Sequence, residues 1–275
     1  MEITSRFTTL EVEHYHAIRC EQCGLIYTSP DPPASDIEKI YSGEDYLDLL
    51  FENLTWRQWV VSNHWLPVLK AIENNINKGS ILDVGCSDGL FMDISSNRGW
   101  TVYGTDINKE KLACAQQRYG ESVKYESIYD LQWPNNSFDA IRLCHVLEHL
   151  TEPKKALENL HRLLRQGGIL NIGIPVFDEP LNLLVQKLPP SKFSRKLTAL
   201  LAWIDPPHHI TTWSTSCLQQ LLEDCGFKLV WKSYRSDIFP WIDGFKKLCI
   251  FYRIVGVPMR MFGTGATIEV LAKKC

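Results

Sequence analysis

The sequence predicts an α/β protein whose core is a doubly wound, largely parallel sheet, and two observations predict it. Apolar runs that fit strands alternate with amphipathic runs that fit helices from residue 56 to residue 174. That alternating order is typical of parallel strands covered by helices on both faces of one sheet. In addition, the first strand leads into the glycine turn Gly85 to Gly89, and ligands of such sheets bind where the strands end.

The elements are predicted in chain order from apolar periodicity and from the glycines and prolines that interrupt it. Ile81, Leu82 and Val84 make a short apolar strand, and the run after the glycine turn continues as a helix. Helices are expected over 56–77, 90–98, 108–118, 153–165 and 214–225, and strands near 80–85, 101–105, 123–127, 138–144, 169–174, 227–235 and 266–273. Residues 178–207 interrupt the alternation with helical runs and prolines, so they are predicted to be an inserted helical segment.

Composition indicates an ordinary folded domain and argues against several classes. The 275 residues are 45% hydrophobic and 11% aromatic, which suffices for one large core plus an appendage. A net charge of −3 gives no general attraction to nucleic acid, so a small-molecule partner is favoured. No uncharged apolar stretch reaches the roughly 18 residues of a membrane span. Nine cysteines without an N-terminal signal peptide indicate free thiols in the cytoplasm.

The glycine turn and the acidic residue after the second strand indicate a site for a nucleoside cofactor. Asp106 lies about 20 residues after Gly85, where a carboxylate can accept hydrogen bonds from both hydroxyls of a ribose. Nicotinamide dinucleotides and S-adenosylmethionine both present such a ribose. Ser87 and Leu90 stand where a dinucleotide fingerprint has its second and third glycines, which disfavours a bound pyrophosphate.

The pattern Asp83-Val-Gly85-x-x-x-Gly89 resembles motif I of the class I S-adenosylmethionine-dependent methyltransferases. Three further segments resemble later parts of that family in the right order, namely 137–153, 162–175 and 205–227, and the likeness covers roughly residues 55 to 275. The resemblance implies a seven-stranded Rossmann-like sheet with an antiparallel last strand over 267–273. It also implies a small N-terminal appendage and places the inserted segment before strand six.

The resemblance further implies which residues hold S-adenosyl-L-methionine. Asp83 and Gly85 should frame its methionine end, Asp106 should take the ribose, and Ile107 should pack on the adenine. Ser127 stands where relatives often have an aspartate for the adenine amino group, and Ile128 would lie against the ring. The full set of candidate cofactor residues is Asp83, Gly85, Cys86, Ser87, Gly89, Asp106, Ile107, Ser127, Ile128 and Leu143.

Histidines after the fourth strand are the candidate catalytic bases for removing a proton from the acceptor. If residues 144–150 turn helically, His145, Glu148 and His149 share one face. This set resembles the Glu-x-x-Glu-His motif of metal-dependent O-methyltransferases that act on polyprenyl catechols and small-RNA ends, and His209 resembles a further histidine of the RNA enzymes. We assign His145, His149 and His209 as candidate bases and no residue as a metal ligand. Metal binding, and a purely orienting role for Glu148 and His149, stay open.

The N-terminal residues 1–50 are predicted to be a separate cap segment, with the methyltransferase domain over 51–275. Cys20-Glu-Gln-Cys23-Gly24 resembles the second half of a zinc ribbon that precedes this methyltransferase type in relatives. A structural zinc needs four ligands and no second Cys-x-x-Cys occurs, so a metal-free ribbon is expected. The following 37–50 resembles a segment that caps the cofactor.

Taken together, the sequence predicts a cytoplasmic methyltransferase that acts on a small molecule, such as a sugar, a polysaccharide precursor or a secondary metabolite. The alternatives are a non-catalytic cofactor-binding interaction protein, an NAD-dependent oxidoreductase, and a metal-dependent O-methyltransferase of RNA or polyprenyl phenols. An amphipathic run over 240–262 fits a core or dimer face, and also a peripheral membrane contact. A monomer and a homodimer are both compatible with the sequence.

Overall fold

The computed structural model describes residues 15–33, 54–178, 187, 189, 209–235 and 267–275. The main body is a seven-stranded sheet flanked by helices. Its strands are β3 (Ser80–Val84), β4 (Thr101–Asp106), β5 (Val123–Tyr125), β6 (Phe138–Cys144), β7 (Leu164–Pro175), β9 (Phe227–Arg235) and β10 (Thr267–Lys274). Two earlier strands, β1 (His16–Arg19) and β2 (Ile26–Ser29), and the short β8 (Thr211–Thr212) form a separate three-stranded sheet.

The order of the large sheet is β5-β4-β3-β6-β7-β10-β9, with β3 to β7 parallel and β10 antiparallel to both of its neighbours. The predicted seven-stranded, doubly wound fold with an antiparallel last strand is therefore confirmed. The chain order reverses between β3, from which β4 and β5 extend to one side, and β6 on the other side. Ligands of such sheets bind at the carboxyl ends of the strands beside this switch point.

Two apolar layers bury the sheet. One layer lies against α5 (Pro153–Leu163) and α6 (Thr215–Asp224) and includes Leu143, Leu160 and Leu222. The other lies against α2 (Leu66–Glu73), α3 (Leu90–Asn97) and α4 (Lys109–Tyr119). Alternate residues of a central strand thus meet opposite layers, which explains why the strand sequences read as continuous apolar runs.

The predicted single helix over 56–77 is wrong in one respect, because a π-helical turn divides it. The chain forms α1 (Leu54–Val60), the π turn Val61–Trp65 and then α2. Pro67 stands in the first turn of α2 and has no N–H to donate to the carbonyl four residues earlier. The main-chain N–H of Leu66 instead bonds to the carbonyl of Val61, five residues back, and this bond defines the wider turn.

Strand β7 is longer than predicted. The sequence suggested a helix to residue 165, a glycine turn and a strand over 169–174, whereas α5 ends at Leu163 and the chain is extended from Leu164 to Pro175. Gly168 permits this path because a Cβ there would lie 2.8 Å from the carbonyl oxygen of Asp139. The early part of the strand pairs with β6 through a register shift between Phe138 and Ala140.

The N-terminal hairpin pairs with the chain just before α6. Strands β1 and β2 are antiparallel, and Ile26 and Tyr27 of β2 pair with Thr212 and Thr211 of β8. Among the helices that the structure describes, none is long and apolar enough to cross a membrane. Several predicted features lie outside the described residues: the cap segment 37–50, almost all of the insert 178–207, the amphipathic run 240–262 and His208.

Candidate functional site

The turn after β3 brings the first glycine against the loop after β6. Gly85 has a φ of +76°, and a Cβ at this position would lie 2.5 Å from Cγ2 of Val146. Its main-chain N–H and that of Cys86 donate to the carbonyl of Thr105, at 2.8 and 3.0 Å. A side chain at 85 would therefore separate two loops that meet at the carboxyl ends of β3 and β6, so glycine is required.

Asp106 is tied directly to this turn. Its Oδ2 accepts from the main-chain N–H of Ser87 at 2.8 Å, and its Oδ1 accepts from the N–H of Asn108 at 2.8 Å. Burial raises the pKa of the Asp106 carboxyl, and these two N–H groups oppose the increase. Each carboxylate oxygen has a second lone pair, so the side chain retains acceptor capacity for a ribose diol.

Ser87 itself adopts a left-handed conformation, with a φ of +48°. The residue therefore occupies the conformation that glycine accepts without cost, at the position where the related family often has glycine. Two residues later, Gly89 has a φ of +83° and is the N-cap of α3. The turn consequently keeps a glycine-type path although one of its residues carries a side chain.

The remaining predicted cofactor residues differ in their accessibility. Ile107 is 49% exposed beside the turn, whereas Cys86 and Ile128 are buried. The hydroxyl of Ser127 accepts from the N–H of Tyr129 at 3.3 Å. Leu143 is fully buried in the layer that faces α5 and α6, so a cofactor contact from this residue would involve its main chain.

Asp83 lies at the end of β3 and is bonded across the sheet to Arg142 of β6. Arg142 Nη1 donates to Asp83 Oδ1 at 2.7 Å, and both side chains are buried. Burial raises the pKa of Asp83 to about 6, because removal from water outweighs the opposing positive charge of Arg142. The acidic residue of motif I is thus one half of a buried ion pair.

Three residues after β6 and one before β8 meet at the same edge of the sheet. His145 Nδ1 lies 3.2 Å from Glu148 Oε1, as the predicted spacing required, although the helical turn is a 3₁₀ turn limited to Leu147–His149. His145 stands before that turn with a φ of +54°. The rings of His149 and His209 lie with their centroids 5.0 Å apart. The structure therefore brings all three predicted histidines to Glu148.

The surroundings of Glu148 favour the ionised form of its carboxyl group. Burial alone would raise its pKa, but the hydrogen bond from His145 and the positive charges of His149, His145 and His209 together lower it to about 2. Its Oε2 is buried and accepts no hydrogen bond within the described part of the chain. An ionised, buried carboxylate oxygen without such a bond is an acceptor for a proton donor or a cation.

The ligand atoms of Glu148, His149 and His209 all lie within 4.8 Å of one another. One carboxylate oxygen and two imidazole nitrogens form a donor set that divalent metals accept. These residues therefore fit a divalent cation, although the sequence analysis assigned no metal ligand.

The N-terminal hairpin holds His209 in this cluster. The hydroxyl of Thr28 donates to the carbonyl of His209 at 2.9 Å, and the N–H of Thr28 donates to the carbonyl of Ile210 at 2.8 Å. Thr211 lies within 3.4 Å of the carbonyls of Leu147 and Glu148 through its hydroxyl. Strand β8 is thus fixed on one side by β2 and on the other by the 3₁₀ turn.

Sequence reasoning missed three residues of the site: Arg57, Arg142 and Thr211. Arg57 of α1 forms an ion pair with Asp88 of the glycine turn at 2.7 Å, which joins the first helix to the candidate cofactor loop. A charged residue within the apolar run 140–143 was the one available indication of Arg142, because central parallel strands are ordinarily apolar throughout. Nothing in the sequence indicated the contacts of Thr211.

The two ribbon cysteines lie beside a third thiol. Hydrogen bonds from the main chain of Cys23, Gln22 and Gly24 lower the pKa of Cys20. The thiol of Cys23 is within hydrogen-bonding range of Cys217, in the first turn of α6. The metal-free state of this ribbon remains a prediction.

Residues 82–172 match the family model described as a methyltransferase domain. Residues 82–172 of this chain are thus a methyltransferase domain. The match runs from β3 to β7, so it includes Asp83, Asp106 and the turn that carries Glu148, while His209 lies beyond it. The predicted family and S-adenosylmethionine as its cofactor are confirmed for the domain.

A curated relative has a similar sequence over part of its length. The ubiquinone biosynthesis O-methyltransferase of Pseudomonas syringae pv. tomato is 31% identical over 134 residues, which are 43% of this chain and 57% of that relative. The chain thus spans little more than half the length of the curated relatives it matches.

Solved structures share the fold of the methyltransferase domain. A SAM-dependent methyltransferase of Archaeoglobus fulgidus has a TM-score of 0.58 and 17% identity, covering 84% of this chain and all of that one. A methyltransferase of Thermotoga maritima, described as a possible histamine N-methyltransferase, has a TM-score of 0.53 and 17% identity, covering 82% of this chain and 99% of that one. At such identities the likeness shows the fold alone.

Proposed function

We propose that this chain transfers the methyl group of S-adenosylmethionine to a hydroxyl oxygen of a small-molecule acceptor. The observation that carries the proposal is the Glu148, His149 and His209 cluster, which lies at the carboxyl edge of the sheet beside the cofactor turn. The name of the Pseudomonas relatives, which refers to O-methylation, supports oxygen as the accepting atom. A sugar, a polysaccharide precursor and a secondary metabolite all offer such a hydroxyl.

The reaction needs alignment and removal of one proton. The acceptor oxygen attacks the methyl carbon, the carbon–sulfur bond breaks, and S-adenosylhomocysteine leaves. Where no cation is bound, His149 or His209 takes the hydroxyl proton, and the ionised Glu148 stabilises the positive charge that forms on the imidazole. Where both imidazoles are ligands of a cation, the proton passes to water. Asp106 and Asp83 hold the ribose and the methionine end of the donor, so the methyl group faces the histidines across the switch point.

We further propose that Glu148, His149 and His209 hold a divalent cation. The buried Oε2 of Glu148 and the convergence of three ligand atoms support this assignment. When bound, such a cation would supply positive charge that favours the ionised form of an acceptor hydroxyl. His145, which is 55% exposed and bonded to the same carboxylate, would then orient Glu148.

The test is methyl transfer from labelled S-adenosylmethionine to pools of hydroxylated small molecules, with and without a chelator. Labelled product should be formed, chelator should abolish it, and added Mg²⁺, Mn²⁺ or Zn²⁺ should restore it. Glu148→Gln should lose activity by about a hundredfold or more, whereas the control Glu152→Gln, at a side chain that is 58% exposed, should retain it. Full activity in chelator would leave histidine as the base without a cation. Cofactor binding without labelled product in any pool would contradict the proposed reaction.

A further inference from the structure

Arg142 is an anomaly in the core of the sheet. It lies in the middle of β6, between buried neighbours Ile141 and Leu143, and is itself 5% exposed. Burying a guanidinium is costly unless its charge is paired and its position is fixed. The groups that contact this buried guanidinium should therefore indicate its role.

The surroundings of Arg142 fix its guanidinium on several sides. Its central carbon lies 4.1 Å from the ring centroid of Phe91 and 5.0 Å from that of Trp65, and these two rings are themselves edge to face at 6.1 Å. Phe91 belongs to the helix that follows the glycine turn, and Trp65 ends the π turn. Cation–π contacts of this kind are stronger where water is excluded. Arg142 therefore joins the cofactor turn to the helical segment before β3.

Buried polar side chains continue from Arg142 across the neighbouring strands, away from the cofactor turn. Asn171 of β7 is the register partner of Arg142, and its amide donates to Glu269 of β10 at 2.9 Å. Glu269 in turn forms an ion pair with Arg235 at 3.3 Å, and Arg235 donates to the carbonyl of His64 in the π turn at 2.8 Å. The negative charge of Glu269 is thus paired with Arg235, and Asp83 is the ion-pair partner of Arg142.

The pair matters for Asp83 because several acidic groups surround that carboxyl. Asp106 and Asp88 both act to raise its pKa, as burial does, and Arg142 is the largest opposing influence. Without the guanidinium, Asp83 would take up a proton or turn away. A neutral Asp83 could not attract the α-ammonium group of the methionine end of the cofactor.

We propose that Arg142 is a positioning residue of the methyl-donor site, which fixes Asp83 as a carboxylate facing the amino-acid end of S-adenosylmethionine. The inference rests on the proposed function, since it assigns that end of the cofactor to Asp83. It differs from a purely structural role in one respect: Arg142 should affect ligands that carry the amino-acid end and spare ligands that lack it.

The experiment measures binding of S-adenosylhomocysteine and of 5′-methylthioadenosine, which has the same nucleoside and no amino-acid end, by calorimetry. Arg142→Met should weaken S-adenosylhomocysteine about tenfold or more, and 5′-methylthioadenosine should stay within twofold. Arg142→Lys, which keeps a positive charge, should recover part of the loss. Asp83→Asn should match Arg142→Met. The double variant Arg142→Met/Asp83→Asn leaves no unpaired buried charge, so it should fold even if a single variant does not. It should bind S-adenosylhomocysteine no more weakly than either single variant.

The matched control is Arg165→Met, which breaks another arginine–aspartate pair, with Asp139, at the opposite end of β6. It should leave both affinities unchanged. Equal losses for the two ligands in Arg142→Met, or unchanged binding of S-adenosylhomocysteine in a folded variant, would overturn the inference. Failure of the wild-type protein to bind either ligand would instead contradict the proposed function, so the two failures are distinguishable.

Discussion

The carboxylate of Asp106 accepts a hydrogen bond from the main-chain N–H of Ser87 at 2.8 Å. One side chain thereby serves two strands: it ends β4 and it fixes the turn that follows β3. The position that would hold the ribose and the turn that would face the methionine end are therefore set by the same group. Loss of that group should disturb both parts of the donor site.

The first prediction concerns this carboxylate. Asp106→Ala should weaken S-adenosylhomocysteine at least tenfold, because each hydrogen bond to a charged group contributes about 1.5–3 kcal/mol. Asp106→Asn keeps one oxygen acceptor and should lie between the wild type and Asp106→Ala. Calorimetry measures the dissociation constants, with the exposed Asp224→Ala as control. An unchanged constant for folded Asp106→Ala would contradict the assignment of the ribose site.

The second prediction concerns the left-handed backbone at Ser87. Ser87→Gly should leave the protein equally stable or up to about 1 kcal/mol more stable, since released strain offsets the entropy of an added glycine. Ser87→Val should destabilise by about 1–3 kcal/mol because a β-branched residue fits a φ of +48° poorly. Thermal and urea unfolding measure both changes. Equal stability of the two variants would show that the turn adopts another conformation.

The third prediction is a pH dependence from Glu148. Its pKa is about 2 in the folded protein, below the ordinary value of 4.5, so its ionisation stabilises the folded state above pH 4.5. That contribution should be lost as the pH falls toward 2. In urea unfolding at a series of pH values, the stability difference between wild type and Glu148→Gln should therefore shrink between pH 4.5 and 2. Parallel curves would contradict the lowered pKa, and Glu152→Gln should follow the wild type.

The fourth prediction tests the hairpin as a support of the acceptor side. Thr28 is buried, and Thr28→Val removes its hydroxyl bond to the carbonyl of His209 while keeping its shape. Stability should fall by about 0.5–1.5 kcal/mol. Methyl transfer should fall further than cofactor affinity, which should stay within twofold. Ser29→Ala, at the adjacent residue of β2, is the control. A parallel loss of cofactor affinity would show that the hairpin supports the donor side as well.

The sequence was sufficient for the parts of the site that are local in the chain. The turn 85–89 and Asp106 follow from two adjacent strands, and the contact between His145 and Glu148 follows from their spacing, although the backbone at His145 is not helical. The π turn was not predicted because apolar periodicity continues through it, past Pro67, into α2. Periodicity records which side of an element is apolar and does not record its hydrogen bonds.

Contacts between distant segments could not be predicted in this way. Asp83 pairs with Arg142 only because β6 lies beside β3 in the sheet, and the order of strands had to be supplied by the family resemblance. The ion pair of Arg57 with Asp88 depends on where α1 packs relative to the glycine turn, which no local pattern encodes. The residues that were missed are accordingly those whose partners lie on distant segments of the chain.

The hydrogen bond between Thr28 and His209 joins residues 181 positions apart, whereas the residues proposed to hold the cofactor lie within the 61 positions from Asp83 to Leu143. During synthesis the residues proposed to hold the donor therefore leave the ribosome well before β8 does. The earliest strands must wait, with an unpaired edge on β2, until that late segment emerges. A nascent chain that is cut short before residue 209 would thus lack both the strand that pairs with β2 and the helix α6 that covers one layer of the sheet.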